Sequence, residues 1–370
     1  MLNALRRARL HAQSAPDVDT LVRSHLGLHS TDYATPYLSA LARIEGLDPT
    51  GLFTRLQCGD GLVRLNAFRN TVHVVHAADA GLVSAATGAA VEKVGRRSPG
   101  LKNLADAEID RGLDALCAAI EGGPHTNAAI KAAVPGLAGD LRMWMYIAMG
   151  RGLVVRADSP HARSNRVRYA LARDWCPFER PDPEDARRDV LLRAIDAFGP
   201  VTADDLAWWL PASKGEVKRV LAATGPDYTS FEEDGNEYWL HASLREAPTD
   251  GPLGTWLLPY EDSLLKGYKD RDWLLAPGLR DVVFPQRVKH WAPPDGTAPE
   301  SVQKGVNVSG EARPSIWWDG QVVGRWEERE GALVWQLHHD VGSEATARIA
   351  HRIEALEHSW RTVLGPLFSN

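Results

Sequence analysis

The sequence predicts an α+β chain in which three tandem units of helix, turn, helix and β-hairpin precede a β-rich, barrel-like region and a closing helix. Three observations carry this. One frame occurs twice, as GPHTNAAIKAAVP at residues 123–135 and as GPVTADDLAWWLP at residues 199–211. Each copy is followed by a second amphipathic stretch and by two strand-like runs around a turn. Beyond about residue 250, helical spacing gives way to short apolar or alternating runs between Pro and Gly clusters.

In the repeated frame, Thr126 and Thr202 are placed to cap a short helix, because a threonine hydroxyl can accept from the free N–H groups of the first turn. Ile130 with Val134, and Leu206 with Leu210, form one apolar face, and Pro135 or Pro211 stops the helix. Second helices are expected at Asp140 to Met149 and at Gly215 to Ala223. The first hairpin joins LVVRA to RVRYAL through DSPHARSN; the second joins YTSFE to EYWLH through Glu233-Asp234-Gly235-Asn236, a hairpin signal. This order of elements is that of a winged helix. The first 95 residues admit the same reading, with short helices at Asp17 to His25 and Ala34 to Arg43, then strands at Leu62 to Asn66 and Thr71 to Val75.

The expected boundaries are residues 1–95, 96–176 and 177–248 for the winged helices, 249–342 for the β-region and 343–370 for the last helix. WLLPYEDSLL, DVVFP, SIWWDGQVVGRWEE and ALVWQLHH are its strand-like runs, and APPDGTAPESVQKGVNVSG is expected to be an exposed, mobile loop.

Composition limits the function. A chain of 370 residues, 44% apolar, has room for a large core and several domains. A net charge of −6 argues against a general polyanion binder, so any nucleic-acid surface must be local. Between Arg151 and Arg173, six arginines face a single acid, Asp158. Arg163, Arg166 and Arg168 lie in the hairpin of the second unit and are equipped to hold phosphates, although a solvated arginine-rich hairpin looks the same in sequence. Cys58, Cys117 and Cys176 lack the spacing of a disulfide frame or a zinc site. No cofactor, metal or membrane segment is expected, and the reading is a cytoplasmic monomer.

The stretch LHSTDYATPYLSALAR, from Leu28 to Arg43, opens a helix with an imidazole, two hydroxyls, a carboxylate and a phenol. It resembles the catalytic segment of the AlkZ-like DNA glycosylases. In that family a Gln-x-Gln motif follows Gly-Leu and precedes a helix with Tyr-Leu; here the frame is Gly27-Leu28-His29-Ser30-Thr31-Asp32 and then Pro36-Tyr37-Leu38. RARLHAQ at residues 7–13, FRNTVHVV at 68–75, LLPYEDSLLKGYKDR at 257–271 and SIWWDGQVVGRW are also similar to family segments. Both glutamines are replaced, by His29 and Thr31, and Asp32 follows directly.

The resemblance implies tandem winged helices with a β-domain, and excision of alkylated bases from double-stranded DNA. An N7-alkylated purine already carries positive charge, so it leaves as a neutral base without a strong acid. The enzyme must stabilise an oxocarbenium-like sugar and place a water. Asp32 offers negative charge and a water acceptor. His29 is suited to the base edge or the water, its ordinary pKa near 6.5 leaving both roles open. Thr31 and Ser30 add hydroxyls. The competing structural role is helix capping by Ser30, Thr31 or Asp32. His73 alternates with Val72 and Val74, so it faces either the cavity of His29 or packed protein. Arg69 and Asn70 sit at a hairpin tip suited to DNA contact or to turn geometry. Asp262 and Arg271 are expected in buried ion pairing that ties the β-region to the helices. Two other functions remain open on sequence: a non-catalytic DNA-binding regulator or damage sensor, and a protein or small-molecule binding module.

Overall fold

The computed structural model describes residues 1–210, 212–247, 251–284 and 312–369. Pro211 and the loop APPDGTAPESVQKGVNVSG lie outside the described residues.

Chain order begins with α1 (Leu2–His11), α2 (Val18–Ser24), β1 (Leu28–His29), α3 (Thr35–Leu41), α4 (Pro49–Cys58), β2 (Leu62–Asn66) and β3 (Val72–His76). It continues through α5 (Ala77–Arg96), α6 (Asp106–Ile120), α7 (Asn127–Ala133), α8 (Leu141–Gly150), β4 (Val154–Arg156), β5 (Tyr169–Leu171) and α9 (Ala172–Trp175). Next come α10 (Pro183–Phe198), α11 (Ala203–Trp209), α12 (Lys214–Ala222), β6 (Tyr228–Glu233) and β7 (Asn236–His241). The last part holds β8 (Thr255–Leu258), α13 (Ser263–Lys266), α14 (Arg280–Val283), β9 (Ser315–Trp318), β10 (Gln321–Arg329), β11 (Ala332–Leu337) and α15 (Ser343–Ser359).

The repeated helices are α7 and α11, and their threonines cap them as the sequence requires. Thr126 Oγ1 accepts from the Ala129 N–H at 3.2 Å, and Thr202 Oγ1 from the Asp205 N–H at 3.2 Å. Asp205 returns a bond to the Thr202 N–H at 2.9 Å, completing a capping box.

The first two hairpins join in one five-stranded sheet of order β1-β3-β2-β4-β5, the seam being the antiparallel pair Arg64↔Arg156. Pairing β2 with β4 satisfies an edge that would otherwise present open N–H and C=O groups. The C-terminal strands do not form a barrel among the described residues; β11-β10-β9-β8 is an open antiparallel sheet. Four strands are too few to close on themselves, and α15 shares their core instead, Ile349 and Ile353 packing with Ile316, Val323 and Trp326. DVVFP is not a strand either: Arg280–Val283 is a single helical turn.

Small residues hide α5 from a search for apolar periodicity, since AADAGLVSAATGAAVEKVGR is largely Ala, Gly and Ser. They are what lets it lie against α8. A Cβ on Gly88 would sit 2.2 Å from the Gly150 carbonyl oxygen, so only glycine permits this approach.

The N-terminal unit and the C-terminal sheet share one core, in which Leu28, Tyr37 and Val74 pack with Leu257, Ile316 and Trp360. The helix α1 reaches the third hairpin through Leu5 and Ala8 against Leu240 and Leu244. These contacts bring segments distant in sequence around β1. Among the described residues, no helix is long and apolar enough to cross a membrane.

Candidate active site at the β1 edge

Gly27 starts the site. Its φ of +103° is a backbone state that side chains rarely adopt, and a Cβ there would come within 2.9 Å of the Val74 carbonyl oxygen. Glycine thus lets β1 close onto β3, with Leu28↔Val74 and His29↔His73 in register. The Ser30 N–H continues the ladder to the Val72 carbonyl at 2.7 Å, and the Val72 N–H donates to Thr31 Oγ1 at 3.2 Å.

Cross-strand pairing places the two histidines side by side, ring centres 5.6 Å apart and planes at 83°. His29 and His73 are 2% and 0% exposed. Phe68 stacks on Trp209 at 4.9 Å, and both rings meet His73 edge-on. Tyr260 lies 6.2 Å from His29. Burial pushes the His29 imidazole well below its ordinary value, and Lys266, His73 and Arg69 add to the effect. Burial, then Lys266, holds His73 at about 3, against a hydrogen bond to Thr71 that works the other way.

Both rings are therefore neutral at physiological pH. His73 Nδ1 lies 3.2 Å from the Thr71 carbonyl, which only accepts, so the proton is on Nδ1 and Nε2 carries a lone pair. That Nε2, like His29 Nδ1, has no hydrogen-bond partner among the described residues. A neutral His29 ring can serve either of the roles that sequence left open, at the base edge or at the water.

None of Ser30, Thr31 or Asp32 caps α3, whose N-cap is Ala34 without a side-chain bond. Asp32 instead makes an Asx turn before it: Oδ1 accepts from the Ala34 N–H at 2.9 Å and the carbonyl from the Thr35 N–H at 3.1 Å, which leads the chain into α3. Oδ2 has no hydrogen bond from the described residues, and the side chain is half-buried. Thr31 is exposed, whereas Ser30 is buried on the opposite face of β1 from His29, its Oγ without a hydrogen-bond partner among the described residues. The β1–β3 pairing thus brings His29, His73 and Thr31 to one edge; Ser30 is not on their face, and Asp32 follows in the turn that leads into α3.

Sequence reasoning missed the buried pair behind them. Lys266, 3% exposed, lies 3.0 Å from Glu261 Oε2 and donates to Thr71 Oγ1 at 3.2 Å. The signal was present, since both belong to LLPYEDSLLKGYKDR, but only the fold carries that segment to β3. Thr35 Oγ1 fixes its position by donating to the Tyr260 carbonyl at 2.9 Å. In the same segment Asp262 makes the expected buried ion pair, with Arg43 at 2.7 Å. Arg271 stacks 4.1 Å from the centre of the Phe284 ring.

At the hairpin tip, Arg69 and Asn70 have φ of 52° and 58°, and the Arg69 guanidinium lies 3.4 Å above the Trp208 ring. The arginines of the second hairpin are more engaged than sequence suggests. Arg168 pairs with Asp158, and Arg163 with Glu328 at 3.3 Å, while Arg166 is exposed. Among the described residues no group of three or more His, Cys, Asp or Glu is arranged to hold a metal.

A pH dependence of stability follows from the buried histidines. His25 is also held at about 3, chiefly by burial and then by Arg43. A lowered folded value means stability is intact above the unfolded pKa and is lost as pH falls from about 6.5 toward 3, because the unfolded chain takes up protons that the folded one refuses. At pH 5 each of His25 and His73 is expected to cost about 2 kcal/mol. Urea midpoints at pH 7 and pH 5 check this, and equal midpoints would contradict it.

Comparison with known proteins agrees with the geometry. The profile of the family described as "DNA glycosylase AlkZ-like" matches residues 22–358. A Streptomyces sahachiroi protein named "Interstrand DNA cross-link repair glycosylase" is 23% identical over 354 residues, covering 89% of this chain and 87% of that one. The solved structure of Streptomyces sahachiroi DNA glycosylase AlkZ superposes with a TM-score of 0.73 at 18% identity, covering 97% of this chain and 95% of the other, and so shares the fold. With a family match that spans most of its length and includes the β1 edge, the chain belongs to the AlkZ-like DNA glycosylases.

Proposed function

We propose that the protein hydrolyses the N-glycosidic bond of N7-alkylated or bulky-adducted purines in double-stranded DNA, as a monofunctional glycosylase in repair or self-resistance to a genotoxin. The observation that carries this is the pair of buried, neutral imidazoles beside Thr31 and Asp32 at a strand edge. Such a site supplies hydrogen-bond acceptors and one carboxylate rather than a cationic acid. That suits a base that leaves neutral because it already bears positive charge. Asp32 Oδ2 takes the water and faces the developing sugar cation; His29 and His73 hold the base or the water; Thr31 orients them. Ser30, Arg69, Asn70, Arg163, Arg166 and Arg168 contact the DNA, and residues 1–95, 96–176 and 177–248 act as three winged-helix units. A relative named for interstrand cross-link repair supports bulky lesions. Disturbed stacking at such lesions also lowers the cost of extruding the base, which is a few kcal/mol in normal duplex.

The test is base release from duplexes carrying N7-methylguanine or a bulkier N7 adduct. Free base is expected with the abasic strand intact, and Asp32→Asn is expected to slow release on the order of 10²-fold. Unchanged release in Asp32→Asn would remove the carboxylate from the mechanism, and strand scission without added base or heat would remove the monofunctional assignment.

A further inference from the structure

The face of the sheet opposite the histidines holds a second arrangement of charge. Register runs Leu28↔Val74↔Arg64↔Arg156 across four strands, so both arginines project from the same face as Ser30. Arg64 is 1% exposed, and its Nε and Nη1 have no hydrogen-bond partner among the described residues. Two tyrosines meet it: the Tyr33 ring lies 4.9 Å from its guanidinium, and Nη2 donates to the Tyr37 hydroxyl at 3.4 Å. Arg156, partly exposed, donates to Asn66 Oδ1 at 3.1 Å and to the Tyr169 hydroxyl at 3.2 Å. Neither arginine makes an ion pair with a carboxylate among the described residues. The Ser30 hydroxyl on this face is also buried, with no hydrogen-bond partner among the described residues.

Two like charges directly opposite each other on paired strands destabilise a sheet, and a buried charge without a counter-ion is costly. Proteins hold such groups when something anionic completes them. The planar guanidinium fork matches an oxyanion, and a hydroxyl on the same face of the sheet adds a further donor.

We propose that Arg64 and Arg156, with Ser30, form an oxyanion pocket that takes a phosphodiester of the DNA backbone on the far side of the strand presenting His29. The inference rests on the reading of the β1 edge as the place where DNA is engaged. A nucleotide at that edge then has its base on the histidine face of the sheet and a neighbouring phosphate on the arginine face. The alternation of His29 and Ser30 along one strand separates the two functions.

The experiment uses the full chain and two variants, Arg64→Met and Arg156→Gln. Thermal midpoints are measured in a phosphate-free zwitterionic buffer, with inorganic phosphate or chloride added at equal ionic strength. Phosphate is expected to raise the wild-type midpoint more than chloride does. Arg64→Met, having lost an uncompensated buried charge, is expected to melt no lower than wild type without phosphate and to lose the phosphate response. Affinity for undamaged duplex, followed against salt, is expected to show a slope shallower by about one in each variant.

A wild type indifferent to phosphate, with Arg64→Met melting lower, makes the pair a structural element stacked on tyrosines and overturns the proposal. A phosphate response with an unchanged DNA salt slope assigns the pocket to a free small anion and overturns the backbone assignment. Should Arg64→Met fail to fold, Arg156→Gln, at a partly exposed position, decides by the same criteria. His29→Ala keeps the two readings apart: it is expected to lose base release while retaining the phosphate response.

Discussion

Truncating His29 to alanine is expected to slow single-turnover release of an N7-alkylated purine by about 10²- to 10³-fold, the usual effect of removing one preorganised hydrogen-bonding group from a glycosyl or acyl transfer site. The reason is positional. His29 is held by β1 opposite His73 in a buried site, with no hydrogen-bond partner for Nδ1 among the described residues, so deleting the ring removes a group that water in the same space cannot hold equally well. His29→Gln tests the chemistry more finely. Glutamine is the family's residue in this frame, and its amide is a neutral donor and acceptor, so it is expected to retain much more activity than alanine. Burial and Lys266 keep the imidazole well below its ordinary pKa, so the histidine is uncharged from neutral pH down past 6.5. The rate should therefore show no step between pH 6 and 8 that His29→Gln abolishes. Near wild-type release by His29→Ala, or a rate that follows a histidine titrating near 6.5, would refute the assignment.

The largest stability effect is expected at Asp262. Its carboxylate is 1% exposed and receives Arg43 Nη2 at 2.7 Å, Arg43 Nη1 at 2.9 Å and Ser39 Oγ at 2.7 Å. Burial alone pushes this acid up, and the Arg43 charge with its hydrogen bonds more than offsets that, leaving the carboxyl below its ordinary value. Replacing Asp262 with alanine strands a guanidinium whose side chain is 2% exposed, at a cost of about 3–5 kcal/mol. Its contribution is present above the unfolded carboxyl pKa near 4 and is lost as pH falls through the lower folded value. A double variant, Arg43→Met with Asp262→Leu, removes both charges and is expected to recover most of the loss. Denaturant midpoints at constant slope compare both variants with the wild type. A single variant within 1 kcal/mol of wild type would show that the pair is not the tie between the N-terminal helices and the C-terminal part. Asp262 also caps α13 through the Leu264 N–H at 3.0 Å, and α13 carries Lys266, so Asp262→Ala is expected to slow base release as well.

Sequence alone determined the features that depend on neighbours along the chain. Thr126 and Thr202 start helices because the capped N–H lies three residues on, and the turn at Asp234-Gly235 joins β6 to β7 for an equally local reason. The polar cluster from His29 to Asp32, the family it belongs to and the importance of LLPYEDSLLKGYKDR were legible for the same cause: a motif is a local object. Long-range pairing was not. Whether two hairpins stand apart or merge, and whether four strands close or lie open under α15, depends on which edges and apolar faces meet in space. The same holds for electrostatics. Nothing local distinguishes a histidine that titrates near 6.5 from one held at about 3, because the difference is made by the packed rings of Phe68 and Trp209 and by a lysine 193 positions away from His73. Tertiary structure alone set His29 against His73, put Lys266 behind them, gave Asp262 to Arg43 and placed Arg64 beside Arg156, since burial and field are properties of a neighbourhood that the chain assembles only by folding.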